Sequence, residues 1–162
     1  MPILLIALSL LLAAPAAEQT RPDLSGAWEF DRERTMKQPP SADGRLVIAA
    51  MLGDEFVASQ DTRALHLTIK AMGQTVNVTY NLDGTESRNI SPGDIPVVSR
   101  ASWEGSRLLI LSTSTSTEKG KTVTIETRRT IWLDKDGSLV IDRTGTPLSE
   151  VQPSRSIYKR VR

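Results

Sequence analysis

The sequence predicts an all-β protein, an antiparallel up-and-down β-barrel of about 8–10 strands. Three observations carry that expectation. From residue 55 onward, apolar and polar residues alternate with period two, the repeat of a half-buried strand. Turn chemistry separates the strand-like runs, as at Asp83-Gly84, Glu104-Gly105 and Asp136-Gly137. Almost every link between strand-like runs is of hairpin length, so consecutive strands should pair in order. A meander of this size removes its exposed edges by closing on itself. A sandwich with Greek-key crossings would need longer links.

The chain of 162 residues fits one domain. Residues 1–17 read as a secretory signal peptide, with an apolar run from Ile3 to Leu12 and the small-x-small pattern Ala14-Pro15-Ala16 at its end. That run is shorter than the ~20 residues of a spanning helix. The barrel domain is therefore expected over 18–162, with Glu18 to Leu24 as a lead-in. The first strand is Ser25-Gly26-Ala27-Trp28-Glu29-Phe30, with Trp28 and Phe30 on one face and Ala27 and Glu29 on the other. Gly26 allows a neighbouring group to approach closely. Asp31 to Lys37 is charged and suits a short helix ending before Pro39-Pro40. The run Leu46 to Leu52 has no period and fits either a buried strand or a short helix over a barrel mouth.

Strands then follow one another. Phe56-Val57-Ala58-Ser59 is the first of them. Leu65, Leu67 and Ile69 alternate with His66, Thr68 and Lys70; after Met72-Gly73-Gln74, the row Val76, Val78, Tyr80, Leu82 alternates with Asn77, Thr79 and Asn81. These two runs make the clearest hairpin. Asp83-Gly84 is read as a turn and Ser91 to Pro96 as a longer loop. Val97 to Trp103 turns through Glu104-Gly105 into Leu108 to Leu111. The alternating Ser/Thr run 112–117 reads as a polar hairpin arm ending at Glu118-Lys119-Gly120-Lys121. Thr122 to Leu133, Leu139-Val140-Ile141 and Ser156 to Arg160 complete the set.

One position breaks the pattern. In the row Val123, Ile125, Thr127, Arg129, Ile131, Leu133, Arg129 falls among apolar residues. Either a bulge at Arg128-Arg129 resets the register and turns Trp132 inward, or Arg129 points into the barrel. A buried arginine would need a carboxylate, a bound anion or an aromatic face. Bulges commonly bend long barrel strands, so the bulge is the favoured reading.

Composition excludes several classes. With no cysteine there is no disulfide framework, thiol nucleophile, thiolate metal site or acylated cysteine. Lys+Arg 20 against Asp+Glu 19 gives no electrostatic case for nucleic acid. The single histidine, His66, lies on the polar side of its strand without His, Asp or Glu at ligand spacing, so no metal and no cofactor is expected. No Gly-x-Ser-x-Gly elbow or other catalytic constellation is visible, and no enzyme is expected.

Gly26-Ala27-Trp28 on the first strand, together with Tyr158-Lys159-Arg160 on the last, resembles the lipocalin-like (calycin) barrels, and Leu82-Asp83-Gly84, Trp103-Glu104-Gly105 and Leu133 to Gly137 resemble exported bacterial members of that group. The resemblance implies that Arg160 lies across Trp28 and closes one barrel end, with Gly26 beside them. It also implies a container. The chain departs from intracellular fatty-acid-binding relatives, which read a carboxylate with Arg-x-Tyr on the last strand. Here Ser156 stands two before Tyr158, and Arg155 would face the other way.

Two function classes follow. In the first, an exported barrel, periplasmic or extracellular, binds a small apolar or amphipathic ligand in a lumen lined by Trp28, Phe30, Tyr80, Trp103, Tyr158 and, if it points inward, Arg129. Its partner is that ligand, with no nucleic acid and no stable membrane anchor after cleavage. In the second, an envelope structural or interaction protein fills the lumen with its own side chains and makes contacts through its loops.

Overall fold

The computed structural model describes residues 21–38, 51–71, 73–118, 120–147 and 151–161. The expected signal peptide and most of the unpatterned run 46–52 lie outside them. The described strands are β1 (Gly26–Phe30), β2 (Glu55–Gln60), β3 (Ala64–Ala71), β4 (Gln74–Asn81), β5 (Asp83–Ser91), β6 (Ile95–Glu104), β7 (Arg107–Glu118), β8 (Lys121–Leu133), β9 (Leu139–Thr146) and β10 (Ser154–Arg160), with one helix, α1 (Arg32–Met36). All ladders are antiparallel, and the sheet runs β4-β3-β2-β1-β10-β9-β8-β7-β6-β5. Every consecutive pair is hydrogen-bonded except β4 and β5, and the first strand pairs with the last. The result is a ten-stranded up-and-down barrel, closed but for one seam.

Period-two alternation sorts the side chains. On β2, Phe56 and Ala58 are buried while Glu55 and Val57 are exposed. The inward rows of β1 to β4 and β6 to β10 supply one continuous core, which includes Trp28, Phe56, Leu65, Leu108, Ile141 and Tyr158. Burying each such side chain contributes roughly 1.5–3 kcal/mol.

At one end of the barrel, Trp28 sits opposite Arg160 in the β1–β10 register. The Arg160 guanidinium lies 4.5 Å from the Trp28 ring centroid and donates to the Ser25 carbonyl. The indole Nε1 donates to the Leu24 carbonyl at 3.0 Å, so the fully buried ring leaves no polar atom unmet. Gly26 has φ +138°, and a Cβ there would stand 2.5 Å from Arg160 Nη1. The glycine is what lets the cation lie down over the indole.

The short helix expected after β1 forms as α1. Asp31 caps it by accepting from Arg34 N at 2.9 Å. Thr35 is buried and accepts from Ile157 N at 3.0 Å, while Arg34 reaches Asp136 at 2.7 Å in the β8–β9 turn. The helix is thereby pinned to the outside of the last two strands.

Two expectations are corrected. The bulge at Arg128-Arg129 does not form: β8 pairs residue for residue with β7 and with β9 through this region. Arg129 stays in the inward row and Trp132 faces out, with Arg107 and Arg155 guanidiniums 4.6 and 5.6 Å from its ring. Those cations cover the indole, which removes the reason to turn it inward. Asp83-Gly84 belongs to β5, whose pairing with β6 shifts register between Asp83 and Glu86, beside the seam. The Ser/Thr run forms the expected polar hairpin arm: it continues β7 and pairs with β8 out to Glu118↔Lys121, with Ser112 buried, Ser114 and Ser116 partly buried, and Thr113, Thr115 and Thr117 exposed.

Candidate functional site

The unpaired seam opens onto a cavity. Beside the turn at Leu82 the seam is clasped by side chains rather than by a ladder. Asn89 accepts from Thr79 N at 2.9 Å and donates back to Thr79 O at 3.0 Å. Ser87 accepts from Asn81 N at 2.8 Å, and Asn81 donates to Glu86 O at 3.0 Å. These four bonds satisfy backbone groups that strand pairing would otherwise serve. Past Asn89, no such bond joins the described residues, and Val76, Ile90, Ser91 and Pro92 border a cavity of about 430 Å³. Its inner wall is Ile69, Val78, Tyr80, Val97, Ser99 and Arg129, with Met51, Leu52, Asp54 and Lys70 at the rim.

The lumen is thus divided. The Trp28 end is solid core, and the far end towards the β3–β4 and β5–β6 turns is open. The volume is within the range of small-molecule sites, about 300–1,000 Å³. The wall is mainly aliphatic. Its polar features are the Tyr80 ring, the Ser99 hydroxyl, which shares a 2.8 Å hydrogen bond with Ser112, and Arg129.

Tyr158 holds the roof. Its hydroxyl accepts from Leu52 N at 2.9 Å and donates to Gly53 O at 3.2 Å, fixing residues 51–53 over the interior. Burial pushes the phenol up from 10.0 to about 12, aided by the nearby Asp54 carboxylate. The unfolded chain therefore loses this proton first as pH rises. Stability from the neutral phenol is fully present below pH 10 and is lost between pH 10 and about 12. Tyr158→Phe is expected to cost about 1–3 kcal/mol at neutral pH by orphaning Leu52 N. It should also flatten the fall in melting temperature across that alkaline window. An unchanged alkaline profile in the variant would contradict this assignment.

Of the sequence-level lumen candidates, Tyr80 and Arg129 lie on the cavity wall. Trp28, Phe30 and Tyr158 lie in the solid core, Phe30 and Phe56 flanking the Tyr158 ring at 5.6 and 5.1 Å between centroids. Trp103 borders a different recess, with Arg21, Asp23, Gln60 and Leu82 at the Trp28 end. His66 is exposed, its Nδ1 3.1 Å from Thr79 Oγ1. The aliphatic wall residues were not singled out by sequence reasoning. Nor was Arg143, which the register places directly beside Arg129. The signal for Arg143 is present: it continues the inward row Leu139, Ile141.

No family model matches the chain, and no curated protein matches it in sequence. Among solved structures, the fold is similar to that of apo lipid binding protein 8 from Caenorhabditis elegans. The identity is 11%, the match covers 85% of this chain and 94% of that one, and the TM-score is 0.52. The fold resembles a lipid-binding barrel.

Proposed function

We propose that this protein is an exported carrier which holds a small apolar or amphipathic ligand in the open half of its barrel. The observation that carries the reading is the aliphatic cavity of about 430 Å³ behind the unpaired β4–β5 seam. A barrel built only as a scaffold has every reason to fill that space, because each void forfeits dispersion contacts. The structural likeness to a lipid-binding protein supports the same class of cargo. The seam supplies a route of entry that breaks no strand ladder. Export rests on the apolar leader ending in Ala14-Pro15-Ala16, and an N-terminus near Ala17 or Glu18 on the secreted protein would support it.

The test is to fill the cavity. Val97 is partly buried on the inner wall, and Val97→Trp is expected to weaken binding of an environment-sensitive apolar dye at least tenfold, leaving the melting temperature within a few degrees. The exposed control Val57→Trp should bind the dye as the parent does. Equal binding by parent, Val97→Trp and Val57→Trp would place the dye elsewhere and favour the second class, a contact protein acting through its loops.

A further inference from the structure

Arg129 and Arg143 occupy one rung of the β8–β9 ladder, on the inward face. Like charges directly opposite one another destabilise a sheet. Both side chains are half-buried, and the Nε of each is buried without a hydrogen-bond partner. Neither arginine makes a hydrogen bond or ion pair with a described residue. Along the rung, the flanking residues are Ile110 on β7 and Ser154 on β10. No carboxylate stands there. The acid on the cavity rim, Asp54, forms no ion pair with either guanidinium. Burial and the neighbouring Arg129 both lower the proton affinity of Arg143, yet a guanidinium stays charged at any ordinary pH.

Several exposed or half-exposed arginines pair with a nearby acid, Arg34 with Asp136, Arg88 with Glu86 and Arg155 with Asp142, and Arg32, Arg107 and Arg160 lie over aromatic rings. Arg129 and Arg143 have neither kind of partner among the described residues. Two half-buried like charges at one rung cost stability unless something negative joins them. Arg129 is on the cavity wall, so the missing charge can arrive from the cavity.

We propose that Arg129 and Arg143 form an anion-binding site which takes the doubly charged head of an amphipathic ligand, of the phosphate monoester class, with its chain in the cavity. This rests on the lumen being the ligand site. Two guanidiniums with no interior acid at their rung are neutralised by two negative charges, and a phosphate monoester carries nearly two at neutral pH. Planar guanidiniums are suited to bidentate capture of its oxygens. The Ser99–Ser112 hydroxyl pair, one row away on β6 and β7, offers further polar contact.

The experiment compares decyl phosphate, decanoate, decanol and inorganic phosphate by calorimetry at pH 7.5, using the parent, Arg143→Gln and Arg129→Gln. Decyl phosphate is expected to bind the parent at least tenfold tighter than decanol and more tightly than decanoate. Each variant should lose that advantage about 10–100-fold, and Arg143→Gln, whose side chain is not on the cavity wall, should keep the parent's affinity for decanol. Both variants should melt no lower than the parent, because each removes an unpaired charge, so folding does not confound the comparison. Decanol binding as tightly as decyl phosphate would overturn the anion site and leave the lumen reading standing. Decanoate matching decyl phosphate would overturn the doubly charged head. Inorganic phosphate matching decyl phosphate would assign the pair to a free anion and overturn the tethered one. Failure of all four probes would overturn the carrier reading along with this one.

Discussion

Trp28→Ala is expected to lower the unfolding free energy by about 3–5 kcal/mol, the cost of emptying a fully buried aromatic site. Trp28 has no solvent exposure and is packed within the closed end of the core. Its removal acts three ways. It leaves a cavity among side chains held by ladders on every side, it deprives the Leu24 carbonyl of its 3.0 Å donor, and it strips Arg160 of the ring beneath it. Denaturant unfolding should show a lower midpoint with an unchanged slope, and the melting temperature should fall by roughly 10 °C. Arg160→Ala should fall by less, since its guanidinium covers the ring from outside and is itself exposed. If Trp28→Ala and Arg160→Ala melt alike, the indole is not the wedge that holds the end of the barrel shut.

The ends of the chain were legible because their pattern is local. Gly26-Ala27-Trp28 and Tyr158-Lys159-Arg160 alternate cleanly, and closure of a meander makes first and last strands neighbours whatever lies between. The cavity was not legible. Sequence reasoning placed aromatics around a lumen, but the large rings of Trp28, Phe30, Phe56 and Tyr158 were spent on filling the barrel. Ile69, Val78 and Val97 line the open half together with Tyr80, Ser99 and Arg129. Whether an inward residue meets a neighbour or a void depends on the summed volumes of several strands at one level, which no single strand records.

Two further misses have their own causes. Thr85 to Ile90 was not read as a strand because its inward positions, Ser87 and Asn89, are polar. They serve the seam through hydrogen bonds to β4 instead of packing against the core. Arg143 was hidden by the run Leu139-Val140-Ile141, which has no period. Val140 faces outward yet is buried, so the alternation that would expose Arg143 as inward is masked at its start. Arg129 on the neighbouring strand stands out because its row is longer. A bulge would spare the barrel an inward charge, but the uninterrupted β8 register decides for the charge.

Gly145→Ala is expected to cost on the order of 3 kcal/mol, at the upper end of overpacking. Gly145 pairs with Thr127 on β8, two residues beyond Arg143 in the same inward row. A Cβ there would overlap the Glu126 carbonyl oxygen and stand 2.7 Å from Val151 Cγ1. The first is backbone, and it cannot retreat without stretching the β8–β9 ladder at the Glu126↔Thr146 pair. The second belongs to a buried side chain that closes over the strand from the β9–β10 link. Neither can yield cheaply. Gly137→Ala provides the contrast: nothing lies within 4 Å of its Cβ, but its φ of +81° strains an alanine. That strain alone should cost about 1 kcal/mol. The comparison is read from denaturant midpoints of the two variants. Gly145→Ala melting at or above Gly137→Ala would mean that the β9–β10 link moves aside freely, and that the wall beside Arg143 is looser than its packing indicates.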